Sequence, residues 1–200
     1  LCFTNTGRVF KIRVWQIPEA GRTSKGRSIA NVLDLKDGES ARFFLPIADF
    51  EKSEDYLFFA TASGKVKRTT LKDYRNVNRS GIIAIKLNDD DHLVGVVQTT
   101  GDSHVLLATS NGMAIRFNED DARVMGRSTA GVKGIDIGAS DKVVGLVRCD
   151  AGDDLLTVTC NGYGKRTSLE DYLVRSEDGS TRPQGRGGKG RRDIRTSDRN

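Results

Sequence analysis

The segment LFFATASGKVKR, residues 57–68, recurs along the chain in slightly altered form. The other copies are LCFTNTGRVFK (1–11), LLATSNGMAIR (106–116) and LLTVTCNGYGKR (155–166). Each copy contains an apolar run, a turn that ends in glycine and a second run that ends in basic residues. The turn glycines are about fifty residues apart, a spacing typical of propellers and other repeat arrays. The chain therefore contains four copies of one structural unit.

Each copy and the residues that follow it predict four short antiparallel strands. In the second copy the strands are expected at 56–62, 65–70, 81–87 and 92–98. Ser-Gly and Asn-Gly at the first turn favour type I′ hairpins, which need positive φ at both central residues. No segment shows the 3.6-residue apolar period of a helix, so the sequence predicts an all-β, propeller-like disc of four-stranded antiparallel blades. The expected blades are approximately 1–55, 56–104, 105–154 and 155–200.

Net charge, the length of apolar runs and the spacing of cysteines exclude several classes of protein. The 200 residues carry a net charge of +5, which suggests a polyanionic partner. No apolar run reaches the roughly 18 residues of a membrane span, so no membrane association is expected. Cys2, Cys149 and Cys160 form no even, closely spaced framework and no C-x-x-C, which favours reduced thiols in a cytoplasmic protein over disulfides or a zinc site. No sequence motif pairs a nucleophile with an activating base, so the sequence predicts no catalytic residue and no small-molecule substrate.

A basic, glycine-containing loop separates the second and third expected strands of every copy. The loops are GRTSKGR (21–27), NVNRSG (76–81), GRSTAGVKG (126–134) and RPQGRGGKGRR (182–192). Glycine lets a backbone approach a phosphate closely, while arginine and lysine supply the charge. Loops of this kind, repeated around a disc, predict a basic rim along which a duplex bends.

The segment QGRGGKG (184–190) resembles the glycine-rich basic box in the C-terminal domain of DNA gyrase A, whose usual form is QRRGGKG. VWQIPEA (14–20), RSIANVL (27–33), YRNVNR (74–79) and NGYGKRT (161–167) are also similar to that family, and the resemblance covers essentially the whole chain. It implies a β-pinwheel, a disc of four-stranded blades that exchange strands with their neighbours and whose basic perimeter wraps DNA.

Two features depart from the family pattern. Gly185 stands where the family has arginine, which removes one phosphate partner. The box also lies in the last expected blade, whereas the defining box of the family lies in the first. We expect the chain to be an excised middle portion, with this box a second, variant copy.

The resemblance implies a non-catalytic, sequence-tolerant DNA-wrapping domain that supports ATP-dependent negative supercoiling by a type IIA topoisomerase. Its implied partners are double-stranded DNA, the rest of gyrase A, and gyrase B in an A2B2 assembly. The catalytic tyrosine, the ATPase and the Mg²⁺ site lie outside the chain, which needs no cofactor or metal of its own. The implied location is the bacterial cytoplasm, on the nucleoid.

The candidate DNA contacts are basic residues of the box, of the strands after the glycine turns and of the other loops. The first group is Arg186, Lys189, Arg191 and Arg192, with the box glycines Gly185, Gly187, Gly188 and Gly190. The second group is Lys165, Arg166, Lys67, Arg68, Lys65 and Arg116, and the third is Arg79, Lys25, Arg27, Arg127, Lys133 and Arg182. The recurrence of the second group at equivalent positions favours a shared role.

Two alternatives remain open on the sequence. One is the equivalent domain of topoisomerase IV, which would bind DNA without strong wrapping. The other is a propeller-type protein-interaction scaffold with a disordered, basic RNA-binding tail after Glu177.

Tyr74 and Tyr172 both end the repeated phrase Leu-x-Asp-Tyr, which predicts blade packing and not a nucleophilic role. The acidic run Asp89–Asp91 is expected to be a solvated turn and not a metal site.

Overall fold

The computed structural model describes residues 1–51, 54–150 and 152–197. These residues form short strands and 3-10 helices, and within them no α-helix occurs. The strands are β1 (Cys2–Thr4), β2 (Arg8–Phe10), β3 (Ala41–Phe44), β4 (Tyr56–Thr61), β5 (Lys65–Thr70), β6 (Ile82–Ile83), β7 (Leu93–Thr99), β8 (His104–Thr109), β9 (Met113–Asn118), β10 (Val132–Lys133), β11 (Val143–Cys149), β12 (Asp154–Val158), β13 (Gly164–Ser168), β14 (Val174–Arg175), β15 (Thr181–Arg182) and β16 (Arg191–Arg192). The 3-10 helices are η1 (Val14–Gln16), η2 (Ile29–Asn31), η3 (Leu71–Tyr74), η4 (Glu119–Asp121) and η5 (Leu169–Tyr172). The predicted all-β class is confirmed.

Three antiparallel four-stranded sheets form the body of the molecule, and we call them blades. Blade 1 has the strand order β3-β1-β2-β6, blade 2 has β7-β4-β5-β10 and blade 3 has β11-β8-β9-β16. The fourth sequence repeat contributes the hairpins β12–β13 and β14–β15. Each blade takes its last strand from the following repeat, so the expected strand exchange is present. The interpretation that all four strands of one repeat lie in one sheet is wrong for this reason.

Backbone hydrogen bonds hold each exchanged strand on the glycine turn of the preceding repeat. Just beyond the strand, two successive N–H groups donate to the carbonyl oxygen of the turn glycine. The donor pairs are Ala84 and Ile85 to Gly7, Gly134 and Ile135 to Gly64, and Asp193 and Ile194 to Gly112. A Cβ on Gly112 would collide with the carbonyl of Ile194, so glycine is required here by the close approach of two backbones.

The glycine turns differ from the predicted type I′ geometry. Among the described residues only glycines and Asp90 have positive φ, so Ser63, Asn111 and Asn161 do not meet the type I′ requirement. Strands β4 and β5 are joined by three residues, with Gly64 at φ 81° and its N–H bonded to the Thr61 carbonyl. This is the three-residue hairpin loop in which a type I turn is followed by a left-handed glycine.

The acidic turn before β7 braces the neighbouring hairpin. Asp91 accepts hydrogen bonds from the Ser63 N–H at 3.0 Å and from the Ser63 hydroxyl at 2.6 Å. In the next repeat, Asp141 accepts equivalent bonds from the Asn111 N–H and the Ser110 hydroxyl. Asp91 therefore has a structural role, and in the described part of the chain no three His, Cys, Asp or Glu side chains are grouped to hold a metal.

Blade 2 buries both faces of its sheet against its neighbours. Phe59 packs towards Phe3 of blade 1, with ring centroids 5.6 Å apart, while Phe58 packs towards Phe117 of blade 3 at 6.1 Å. Side chains alternate across a strand, so adjacent phenylalanines serve opposite interfaces. Tyr74 is buried between blades 1 and 2 and Tyr172 between blade 3 and the fourth repeat, which confirms the packing role predicted for Leu-x-Asp-Tyr.

The cysteines are unpaired, with Cys2 and Cys149 buried and Cys160 exposed. No helix in the described ranges is long and apolar enough to cross a membrane.

Candidate nucleic-acid interface

The exchanged strands form the outer edge of the blades. Strands β7 and β11 pack against each other at the opposite edge, so β10 and β16 lie away from the centre of the array. On this outer edge, three equivalent cross-strand pairs follow the turn glycines. They are Arg8 with Ile83, Lys65 with Lys133, and Met113 with Arg192. We call this edge the rim.

Blade 2 concentrates positive charge at the rim. Lys65 and Lys133 face each other directly across β5 and β10, and like charges at such positions repel. Lys133 is exposed and forms an ion pair with Asp136 at 2.8 Å, which holds the pKa of Asp136 below its usual range. One carboxylate for two lysines leaves a net positive site that an anionic phosphate would relieve.

Arg8 differs from its equivalents on the rim. Its guanidinium pairs with the buried Glu39 carboxylate at 2.5 Å and donates to the Ser80 carbonyl. Blade 1 therefore offers less rim charge than blades 2 and 3.

The glycine-rich box lies flat across the edge of blade 3. The Gln184 N–H donates to the Arg116 carbonyl at 2.9 Å and the Gly187 N–H to the Gly134 carbonyl at 2.7 Å. In return, the Gly188 carbonyl accepts from the Asp136 N–H at 2.9 Å. A Cβ on Gly190 would collide with the Ala114 carbonyl, and Gly187 has φ 85°. These two glycines let the box follow the backbone of the third repeat closely.

The Arg186 guanidinium is held by hydrogen bonds to main-chain carbonyl groups of the protein. Its Nε donates to the Asp121 carbonyl at 3.0 Å and its Nη1 to the Lys133 carbonyl. We therefore assign Arg186 mainly to holding the box in place. A Cβ on Gly185 would have no atom within 4 Å, so the arginine usual in the family would have room to project outwards. The expected loss of one phosphate partner at Gly185 stays a prediction.

Other basic residues of the box region face solvent. Lys189, Arg192 and Arg182 are exposed, and the exposed Arg191 donates to the Leu173 carbonyl at 2.6 Å. Lys189 lies two residues before β16, and Arg192 is the last residue of that strand. The Gly187 N–H bonds the box to the carbonyl of Gly134, which follows Lys133 in the chain. The structure therefore brings Lys65, Lys133, Lys189 and Arg192 to one side of the array.

Lys67 is fully buried, which its sequence pattern did not indicate. Its ammonium donates to the carbonyls of Ala84 and Arg127, the latter at 2.6 Å, and lies 5.1 Å from the centre of the Phe59 ring. Burial, followed by the charge of Arg127, lowers the pKa of Lys67 to about 7. Lys67 has no path to a phosphate and is omitted from the proposed interface.

Arg68 and Arg116 are also buried, and both reach the 3-10 helix of the following repeat. Arg68 Nη2 donates to Asp120 of η4 at 2.6 Å, and Arg116 Nη1 donates to the Leu169 carbonyl of η5 at 2.7 Å. Lys11, which sequence reasoning missed, occupies the same position in the first repeat and donates to the carbonyl of Arg75, the residue that follows η3. Recurrence at this position therefore reflects packing between repeats, and these residues too are omitted from the interface.

The remaining predicted residues are more scattered. Lys25, Arg27 and Arg79 are exposed in their loops, and the half-buried Arg127 lines the same surface pocket as Arg8. In the fourth repeat, Lys165 lies 3.2 Å from the buried Asp193 and Arg166 lies 3.2 Å from Asp154. Arg166 is the equivalent of Arg116, but its side chain is 79% exposed.

The segment predicted as a disordered tail belongs to the fold. Strand β15 pairs with β14, and β16 pairs with β9 of blade 3. The part of the tail up to residue 197 is therefore built into the array, which argues against the scaffold alternative.

Comparison with protein families identifies one match over most of the chain. The model of the DNA gyrase C-terminal domain, a beta-propeller, matches residues 1–48, 55–100, 103–150, 153–176 and 182–199. The DNA gyrase A protein of Clostridium acetobutylicum is 50% identical over 199 residues, covering 100% of this chain and 23% of that protein. The Escherichia coli K12 protein of the same name is 41% identical over 176 residues, covering 88% and 20%. The chain thus spans about a quarter of the length of such relatives.

Solved structures show the same architecture. A DNA topoisomerase IV C-terminal domain superposes with a TM-score of 0.83 at 30% identity, covering 96% of this chain and 57% of that one. A DNA gyrase A C-terminal domain superposes with a TM-score of 0.70 at 23% identity, covering 98% and 78%. The second likeness supports the fold alone.

Proposed function

The chain belongs to the family of DNA gyrase C-terminal domains, and from that premise we propose that its rim binds double-stranded DNA and bends it around the disc. The proposed contacts are to phosphates, so the binding is tolerant of base sequence and depends on how easily the duplex bends. Lys65, Lys133, Lys189 and Arg192 form the centre of the interface, and Arg79, Arg127, Arg182, Lys25 and Arg27 extend it.

The observation that carries this proposal is the position of the exchanged strands. Strand exchange places basic side chains of two consecutive blades on one outer edge, with Lys65 opposite Lys133 and Arg192 on the next blade. One exposed lysine on the rim would not indicate a binding site, because single surface lysines are common in soluble proteins. Repeated charges along one edge can contact several phosphates of one duplex.

Within the longer protein, we propose that the wrapped DNA is presented to the strand-passage core of a type IIA topoisomerase. The gyrase A and gyrase B components of an A2B2 assembly would then couple ATP hydrolysis to negative supercoiling in the bacterial cytoplasm, on the nucleoid. This role requires no cofactor, metal or nucleophile within the chain, because ATP and Mg²⁺ act elsewhere in the holoenzyme. Burial raises the pKa of Tyr74 and of Tyr172, which makes both poor nucleophiles.

The second candidate is the corresponding domain of topoisomerase IV, favoured by the TM-score of 0.83 to such a domain. That assignment predicts DNA binding without a handed wrap. The 50% identity to a gyrase A protein over the whole chain favours gyrase.

A topology assay tests the proposal. The chain is added to relaxed circular DNA, the circle is nicked and resealed, and the linking number is read on a gel. We expect a handed shift that is lost when Lys65, Lys133, Lys189 and Arg192 are changed to Ala. The salt dependence of binding should also weaken, with the slope of log K against log salt falling by about 0.9 for each phosphate contact removed.

A matched control removes four cations outside the exchanged strands. Lys72, Arg75 and Arg148 already form ion pairs with exposed carboxylates, and Lys142 lies in the turn before β11. Changing these four to Ala should leave the linking-number shift in place. Equal losses in the two variants would refute the rim as the interface. Binding without any shift would favour topoisomerase IV, and no binding at low salt would refute the DNA proposal.

A further inference from the structure

Asp193 is a buried carboxylate at the end of the exchanged strand β16. Its side chain is 2% exposed. One carboxylate oxygen accepts from the Tyr172 hydroxyl at 2.6 Å and the other from the Thr157 hydroxyl at 2.6 Å. The Lys165 ammonium lies 3.2 Å from the first oxygen. Hydrogen bonds to a charged group in a buried setting are among the stronger ones in proteins.

These partners come from three elements of one repeat. Thr157 lies on β12, Lys165 on β13 and Tyr172 on η5, all in the fourth repeat. The Asp193 N–H, in contrast, donates to the Gly112 carbonyl of the third repeat at 2.9 Å. One residue therefore joins the hairpin of the fourth repeat to the edge of blade 3.

The other repeats lack this carboxylate. The residues at the same place after β6 and β10 are Ala84 and Gly134. In the second repeat, Lys67 and Tyr74 occupy the positions of Lys165 and Tyr172, and both donate to the main-chain carbonyl of Ala84. The carboxylate is thus specific to the repeat that carries the glycine-rich box.

The segment that Asp193 follows has little support of its own. Strand β16 consists of Arg191 and Arg192, both exposed, and pairs with β9 at two positions. Strands this short depend on neighbouring contacts for their order. The box fixes the segment on its N-terminal side, through the Gly187 N–H, and Asp193 fixes it on the C-terminal side.

We propose that Asp193 is a positioning residue for DNA binding, which holds Lys189 and Arg192 on the rim by anchoring β16 to the fourth-repeat hairpin. This inference rests on the proposed function. The proposal and simple electrostatics predict opposite results when the Asp193 carboxylate is removed. Loss of a negative charge close to a DNA-binding surface should strengthen DNA binding, whereas loss of the anchor should weaken it.

The test is Asp193→Asn, which keeps the side-chain shape and removes the charge. We expect DNA affinity to fall about tenfold although the net charge becomes more positive, with a salt slope smaller by about 0.9 for each of the two displaced cations. The matched control is Asp171→Asn, an exposed acid on η5 with the same charge change. It should bind DNA as the parent does, or slightly more tightly. Tighter binding by Asp193→Asn would overturn the proposal.

A double-mutant cycle separates positioning from general loss of structure. In a background with Lys189 and Arg192 changed to Ala, Asp193→Asn should have no further effect on affinity. A further loss of the same size would mean that Asp193 acts through the fold as a whole. If Asp193→Asn does not fold, Tyr172→Phe, which removes one donor and keeps the carboxylate charge, is measured in the same cycle.

Hydrogen exchange of the chain without DNA tests the Asp193 anchor separately from the proposed DNA binding. The backbone amides of residue 193 and Ile194, which both donate to the Gly112 carbonyl, should exchange faster in Asp193→Asn than in Asp171→Asn, whether or not the parent binds DNA. Unchanged exchange at these amides would refute the anchor even if the rim binds DNA as proposed.

Discussion

The third and fourth repeats carry the same hairpin in two different surroundings. Gly112 and Gly162 have nearly the same φ, 75° and 83°. Leu106 is fully buried between blades, whereas its equivalent Leu156 is 68% exposed. Gly112 has the carbonyl of Ile194 packed on it, whereas no described atom lies within 4 Å of a Cβ placed on Gly162. The hairpin is therefore a local property of the sequence, while burial depends on whether another sheet covers it.

The same comparison explains why a recurring charge pattern misleads. Arg116 and Arg166 follow their turn glycines at the same distance. Arg116 is buried because η5 of the next repeat lies over it and offers the Leu169 carbonyl. Arg166 has only Asp154 of its own hairpin as a salt-bridge partner among the described residues and stays exposed. One sequence position thus provides a structural cation in one repeat and a surface cation in the other.

The largest expected difference concerns the apolar strand face. Leu106→Ala should lower the free energy of unfolding by about 2–5 kcal/mol, because it leaves a cavity between blade 3 and the fourth repeat. Leu156→Ala should change it by no more than about 0.5 kcal/mol. Urea unfolding monitored by fluorescence or circular dichroism gives both values. A large loss for Leu156→Ala would show that this face is covered in solution.

A smaller difference is expected for the paired arginines. Arg116→Met should cost about 1–3 kcal/mol of stability, since the buried Leu169 carbonyl loses its charged donor. Arg166→Met should have an effect within about 0.5 kcal/mol, as for other exposed ion pairs. Thermal and urea unfolding of the two variants provide the comparison. Equal effects would contradict the assignment of Arg116 to packing between repeats.

A further effect is a pH dependence of stability that arises from Lys67. The unfolded chain keeps the Lys67 proton up to its usual pKa of 10.5, while the folded chain releases it near 7. The unfolded state therefore binds more protons between these values, so stability rises with pH by as much as about 1.4 kcal/mol per unit. Below pH 7 this contribution is constant.

Urea unfolding of the parent and of Lys67→Met from pH 6 to 9.5 measures this contribution. The difference between their unfolding free energies should shift in favour of the parent as pH increases above 7. A constant difference over the whole range would mean that Lys67 keeps its proton in the folded chain.

Much of this protein can be predicted from local sequence. The apolar run, the glycine turn and the basic run all lie within about a dozen residues, which is why strands β4 and β5 lie close to where the pattern places them. The four copies and the basic loops are likewise visible without a structure. The turn type was predicted wrongly, because Ser-Gly and Asn-Gly are compatible both with type I′ and with a type I turn followed by glycine.

The tertiary structure alone determines which basic residues face a ligand. Lys65 and Lys67 are two residues apart and chemically identical, yet one lies on the rim and the other is fully buried. Their difference arises from Ala84 and Arg127, which reach Lys67 from distant parts of the chain through strand exchange. The sequence pattern specifies the hairpins and the charge because those depend on neighbouring residues. Burial, the partners of each cation and the anchor at Asp193 depend on contacts between repeats, which no local pattern encodes.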